Sequence, residues 1–288
     1  MTTPVKEKQE TKEKGRSPRS SGAPIRLLRG GSERLWLIVL VLIGWEIGTR
    51  VAEEEYFPPP SKIVSSLHEI WFSGPASRLF LTDKAVDDFS TSLGHLFAGW
   101  LVACAVGVVL GVAIGRSRTL NDLLDPVLQF LRAVPPPTLL PFFIMVFQLG
   151  ATMQIVTIAF SVVWPVLLNS ADGARTVEAL QLETAKVFGL SRYRRLVTVI
   201  LPAAGPKIIA GVRVSLGFAL ILMVLSELVG STAGIGAQLI GAQRDFDLPA
   251  MWAGIVMLGV LGLLFNGAFV LLERRLLGWH SGARRLAN

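Results

Sequence analysis

The chain has 288 residues, half of them hydrophobic, and its mean hydropathy of +0.54 excludes an ordinary soluble domain of that length. A net charge of +7 would suit a nucleic-acid binder, but the lysines and arginines gather beside apolar runs, as in a membrane protein with basic cytoplasmic loops. The single cysteine, Cys104, excludes an intrachain disulfide, and His68, His95 and His280 stand at no metal-binding spacing, so no metal, cofactor or nucleic-acid partner is expected.

Residues 1–34 carry nine basic and four acidic residues among Gly, Ser and Pro. Such a segment cannot bury enough apolar surface to fold alone and is expected to be a disordered cytoplasmic tail. The charged stretch is long for a secretory signal, and no small-residue cleavage site follows, so an uncleaved first span is expected over about Leu35–Val51. Glu46 lies near its outer end, within reach of the headgroups. Residues 35–91 hold this span and an external amphipathic segment. Phe57-Pro58-Pro59-Pro60 makes an extended linker, and Ile63, Leu67, Ile70 and Trp71 follow helical spacing, predicting a helix on the membrane surface or against the bundle.

The transmembrane domain is expected over 92–278. Its second span, Leu96–Ile114, carries small residues at every fourth position (Gly99, Ala103, Gly107, Gly111, with Gly115 beyond), one face suited to close helix packing. Arg116 and Arg118 then place the next loop in the cytoplasm. Asp125-Pro126 and the proline-rich 134–141 open a third span with a broken start, ending near Gly150. A fourth span, Met153–Leu168, contains Trp164-Pro165 and leads into residues 171–205, which are helical in pattern yet water-facing. There Thr176 is expected to cap a helix that Glu178 favours through the dipole and Gly189 ends in a left-handed turn. Ser191 would cap a second short helix, Arg192–Ile200, stopped by Pro202. The fifth span, Ile208–Leu228, ends beside a glycine-rich external loop with a flexible backbone at Gly230, Gly234 and Gly236. A sixth, Met251–Leu272, precedes a basic cytoplasmic tail, 279–288.

Charge sets the orientation. The external segment 52–91 has three basic residues against seven acidic ones, whereas residues 171–205 have five against three and the chain from Glu273 has four against one. Basic residues beside spans mark the cytoplasmic side, so both termini and the 171–205 loop are expected inside, with six spans between them.

Within that loop, Glu183-Thr184-Ala185, then Gly189, then Leu201-Pro202 resembles the EAA loop of ATP-binding-cassette (ABC) importer permeases. Thr184 departs from the usual alanine, a change of a few tenths of a kcal/mol in helix propensity. Trp45–Arg50 followed by Phe57–Pro60 resembles the opening of the nitrate, sulfonate and taurine branch, and Glu227 with Gly230 three residues on resembles the family's E-x-x-G stretch after the fifth span. The resemblance spans about residues 45–278. It implies an all-α type I importer permease fold of six transmembrane helices in a bacterial plasma (inner) membrane. It further implies a coupling loop at 171–205 that docks on cytoplasmic ATPase subunits, a second permease copy in a homodimer, and an external solute-binding protein. The cargo it implies is a small anion, an aliphatic sulfonate or taurine first, with nitrate, bicarbonate or a vitamin precursor as alternatives.

The chain carries no G-x-x-x-x-G-K-[ST] phosphate loop, so ATP hydrolysis is expected in another subunit and this chain is not expected to be an enzyme. A membrane-embedded enzyme is the competing class, but the sequence offers no nucleophile, metal cluster or acid–base pair for one. A stand-alone channel would leave the loop without a use. Candidates for a translocation pathway, among membrane lipid and apolar neighbours, are Gln148, Asn169, Arg213, Glu227 and Asn266, each weighed against an interhelical hydrogen bond of ~0.6 kcal/mol.

Overall fold

The computed structural model describes residues 23–52 and 55–277, with side chains from Trp36 onward. The tail expected at 1–34 lies outside the described residues as far as residue 22, as does the expected tail 279–288. Helix α1, Ala23–Ala52, contains the expected first span. Trp36 to Val51 expose most of their large apolar side chains, and Arg50 Nε holds Glu46 Oε1 at 2.6 Å one turn away.

Residues 53–288 form a separate compact unit, helical throughout its described residues. In chain order its helices are α2 (Pro60–Leu67), α3 (Asp83–Arg116), α4 (Arg118–Ala133), α5 (Leu140–Phe147), α6 (Ala151–Arg175), α7 (Ala179–Val187), α8 (Arg192–Arg195), α9 (Leu201–Leu228), α10 (Ile235–Arg244) and α11 (Leu248–Leu276).

The small-residue stripe of α3 does what its spacing predicts. A Cβ on Gly99 would stand 2.8 Å from the Ile155 carbonyl, on Gly111 2.4 Å from that of Leu167, and on Gly115 2.3 Å from that of Ala171. Only glycine permits this approach, and dispersion along the Gly99–Gly115 stretch of α3 and the facing Ile155–Ala171 stretch of α6 holds the pair. The contacts rise together along the two sequences, so α3 and α6 run parallel. The chain between them must therefore return from the Arg116 end of the bundle to the Ala151 end. It does so through α4 and α5, bent by 86° across the proline-rich turn Pro136–Leu139. Prolines there remove donors that a continuous helix would need.

Helix α9 packs antiparallel on the other side of α6, where Gly211 meets Asn169 and Gly173 meets Ala204. Leu96 and Ala103 of α3, Ile158 and Val162 of α6, Leu216 and Met223 of α9 and Phe269 of α11 close into one core. Among the described residues four helices are long and apolar enough to cross a membrane, and five when the bent pair counts as one.

Several expectations are corrected. Residues 118–124, expected in a cytoplasmic loop, are already helical: α4 runs from Arg118 through Asp125-Pro126 to Ala133, and the broken start expected of the third span is the bend between α4 and α5. Pro202 does not stop a helix. Residues 196–200 form a wide turn, and Pro202 falls in the first turn of α9, where its missing N–H costs nothing, so α8 runs on into the expected fifth span. Of the two placements expected for the external amphipathic segment, the one against the bundle is found: α2 lies against α11, and Trp71 just beyond it is fully buried.

Candidate functional site

The protrusion between α6 and α9 begins differently from expectation. Thr176 closes α6, its hydroxyl donating to the Asp172 and Gly173 carbonyls, and α7 starts without a side-chain cap. Its far end behaves as the spacing predicts. Gly189 adopts φ +69°, its N–H donates to the Lys186 carbonyl at 2.9 Å, and the Leu190 N–H donates to the Ala185 carbonyl at 3.0 Å. This paired closure satisfies the carbonyls a helix end leaves open. It also explains the motif spacing: Ala185 supplies the acceptor and buries its methyl under the turn, four residues before the left-handed glycine. Thr184 is accommodated because its hydroxyl donates back to the Leu180 carbonyl at 2.8 Å and faces solvent. The backbone N–H of Arg194 donates to the Ser191 hydroxyl, the expected cap of α8.

The protrusion is rooted, not tethered. Val112 of α3, Ala174 of α6, Val177 and Ile200 form a buried cluster with Leu182, Leu196 and Leu201 packed around it. Its tip exposes Leu180, Val187, Phe188 and Tyr193, each at least 71% accessible. Glu183, Gly189 and Pro202 are exposed on the same element. Between α7 and the start of α9 lies an apolar groove of about 640 Å³ that includes Thr184, Ala185, Phe188 and Pro202. Exposed apolar anchors beside a groove mark a surface made for a partner.

The five pathway candidates do not converge. Gln148 ends α5 at φ +60° and is exposed. Asn169 donates to the Pro165 carbonyl at 2.8 Å, inside the α6–α9 contact. Arg213 and Asn266 do meet: an Arg213 guanidinium N–H donates to Asn266 Oδ1 at 3.0 Å and another reaches Glu273 at 3.3 Å, beside a cavity of about 280 Å³ between α9 and α11.

Glu227 is wholly buried at the opposite end of the bundle, in a cluster the sequence reading missed. Its Oε2 accepts the Gly236 N–H at 2.7 Å. Asp88 accepts the Gly234 N–H at 3.2 Å and the Trp71 indole N–H at 3.1 Å, and Ser92 accepts the Ile235 N–H at 2.9 Å. Three side chains from α3 and α9 thus satisfy the open N–H groups at the start of α10. The glycines expected to make this loop flexible instead make it fit. A Cβ on Gly234 or Gly236 would press within 2.8 Å of Glu227. Asp88 and Ser92, one helical turn apart ahead of an apolar run, were the available signal.

Parallel and antiparallel apolar helices around glycine seams, with a helical knob exposed at one end, define a polytopic membrane protein. Comparison with known proteins makes this specific. Residues 103–278 match the family described as binding-protein-dependent transport system inner membrane component, and the chain belongs to that family. It is 33% identical over 260 residues to the "Putative aliphatic sulfonates transport permease protein SsuC" of Bacillus subtilis, covering 90% of this chain and 91% of that one. With the taurine transport system permease protein TauC of Escherichia coli it shares 30% over 245 residues, 85% and 88% of the two chains. The bicarbonate transport system permease protein CmpB of Synechococcus elongatus is 32% identical over 187 residues, 65% of this chain and 67% of its own. A solved chain of the MetNI methionine ABC transporter in an inward facing conformation superposes at a TM-score of 0.59 and 17% identity, over 65% of this chain and 94% of that chain. The fold is that of a type I ABC importer permease, and the chain is a multi-pass membrane permease of the ABC class, as its coupling motif led one to expect.

Proposed function

We propose that the chain forms the translocation pathway of an importer for a small anion, an aliphatic sulfonate or taurine first and bicarbonate or nitrate next. Separate ATPase subunits dock on the α7–α8 knob, a solute-binding protein delivers cargo on the other face, and two copies of the permease pair. Helix α1 adds a sixth span to the five of the compact unit, which puts both termini and the knob in the cytoplasm. The basic character of the Arg116, Arg175 and Arg274 ends supports that orientation. The sulfonate and taurine reading rests on the relatives' names and on their near-complete coverage.

The observation that carries the reading is the knob's construction: a closed helix turn rooted in the core, with exposed apolar anchors at its tip. Because α8 passes into α9 without a break, a push on the knob turns a whole span as a rigid body, the motion alternating access needs. Arg213 and Asn266 are the pathway candidates we retain, since they share one cavity; Asn169 and Glu227 already serve local hydrogen bonds. Copurification tests the reading. The ATPase subunits should come down with the wild-type chain and be lost several-fold with Phe188→Asp; equal recovery in both would refute docking at this tip.

A further inference from the structure

On the face of α7 opposite the apolar groove lies a second cleft, of about 360 Å³, lined by Arg116, Leu182, Lys186, Arg192, Arg195 and Ile200. Four cations from the end of α3, α7 and α8 thus surround one space, and no carboxylate lines it. None of the four takes part in an ion pair among the described residues. Arg116 spends one N–H on the Ala174 carbonyl at 3.2 Å and keeps its remaining donors. The Nε of Arg195 is buried and meets no acceptor. A buried charged donor left unpaired is costly, and four like charges around one cleft repel unless an anion sits among them.

The neighbouring cleft behind Arg116, beside Arg118 and Arg175, includes Asp122, so its charge is partly balanced within the chain. The cleft of Lys186, Arg192 and Arg195 has no such counter-charge. We propose that it is a binding site for a tetrahedral oxyanion, the phosphate of an anionic phospholipid headgroup. Guanidinium forks match phosphate oxygens in pairs, and Lys186 adds a point charge. Arg116 closes a membrane-crossing helix, so the site sits at headgroup depth, and a lipid there would brace the root of the knob. The depth set by Arg116 at the end of a membrane-crossing helix favours a lipid phosphate over a docked acidic side chain. The proposal rests on charge geometry alone and stands whether or not the anion reading of the cargo does.

The test is native mass spectrometry of the full chain in detergent, with added phosphatidylglycerol or phosphatidylcholine. Wild type and the off-cleft control Arg194→Gln should retain phosphatidylglycerol several-fold over phosphatidylcholine, and Arg192→Gln/Arg195→Gln should lose that preference. Lys186→Gln gives an independent loss, and thermal unfolding confirms that each variant is folded. A second arm titrates inorganic phosphate in phosphatidylcholine micelles. Stabilisation of wild type but not of the double variant, with no lipid preference, would assign the site to a free anion. If the double variant and Arg194→Gln behave alike with both probes, the proposal fails.

Discussion

At the scale of single residues, glycine does two opposite jobs in this protein. Gly189 is needed for its dihedral angle, since nothing lies within 4 Å of where its Cβ would be. A β-branched residue at φ +69° carries backbone strain of about 1–3 kcal/mol without any clash. Gly189→Val should therefore leave the bundle folded but misalign the knob: ATP hydrolysis by the reconstituted complex persists while coupled uptake falls at least tenfold. Unchanged uptake would remove Gly189 from the coupling role. Gly234 is needed for both angle and space, at φ +118° with Glu227 2.7 Å from its Cβ position. Gly234→Ala should lower stability by roughly 2–3 kcal/mol. Glu227→Ala, which strands the buried Gly236 N–H, should cost about 1–3 kcal/mol, and Glu227→Gln, which keeps an acceptor there, much less. Melting temperatures in detergent decide the order. Glu227 was visible in the sequence as a polar residue in apolar surroundings. The cluster around it was not, because the bonds that bring Ser92 to Ile235 and Asp88 to Gly234 span 143 and 146 positions and leave no local trace.

Among elements, the α3–α6 seam shows how far spacing can be trusted. A period-four run of small residues states that a helix face will be approached closely, and it is. Nothing in it states that the partner is α6, or that the two helices run parallel. That choice follows from where α4 and α5 turn. The seam predicts its own sensitivity. Gly111→Val would drive a side chain into the Leu167 carbonyl and should abolish accumulation of folded protein. Gly94→Ala, earlier on the same helix with nothing within 4 Å, should be tolerated. Immunoblot of membrane fractions reads both, and equal yields would mean that the seam is not what holds α3 to α6. The continuity of α8 with α9 and the early start of α4 have one origin. Proline and charge set local preferences, and whether Pro202 ends a helix or begins one depends on the wide turn before it.

On the scale of the whole molecule, the parallel packing of α3 and α6 requires one crossing between them, so α3 and α6 start on one face of the membrane and end on the other. The α7–α8 knob and the turn around Leu79 should then lie on opposite sides of the membrane. In a Cys104→Ser background, Phe188→Cys should react with an impermeant maleimide only in inverted vesicles, and Leu79→Cys only in right-side-out ones. Both sites are at least 80% exposed, so access is set by topology rather than burial. Labelling of both from one side would overturn the proposed arrangement.

The sequence by itself determined the membrane class, the positions of the apolar spans, the tight α3 face and the coupling motif with its glycine-closed turn. Each is a property of neighbours within a few turns, where periodicity and backbone preference act. Only the tertiary structure decided which helices meet, that Gly234 and Gly236 close on a buried carboxylate, and that four cations share one cleft. Those features depend on residues far apart in the chain arriving at the same place, and that meeting is settled by packing the spans together, not by any one of them.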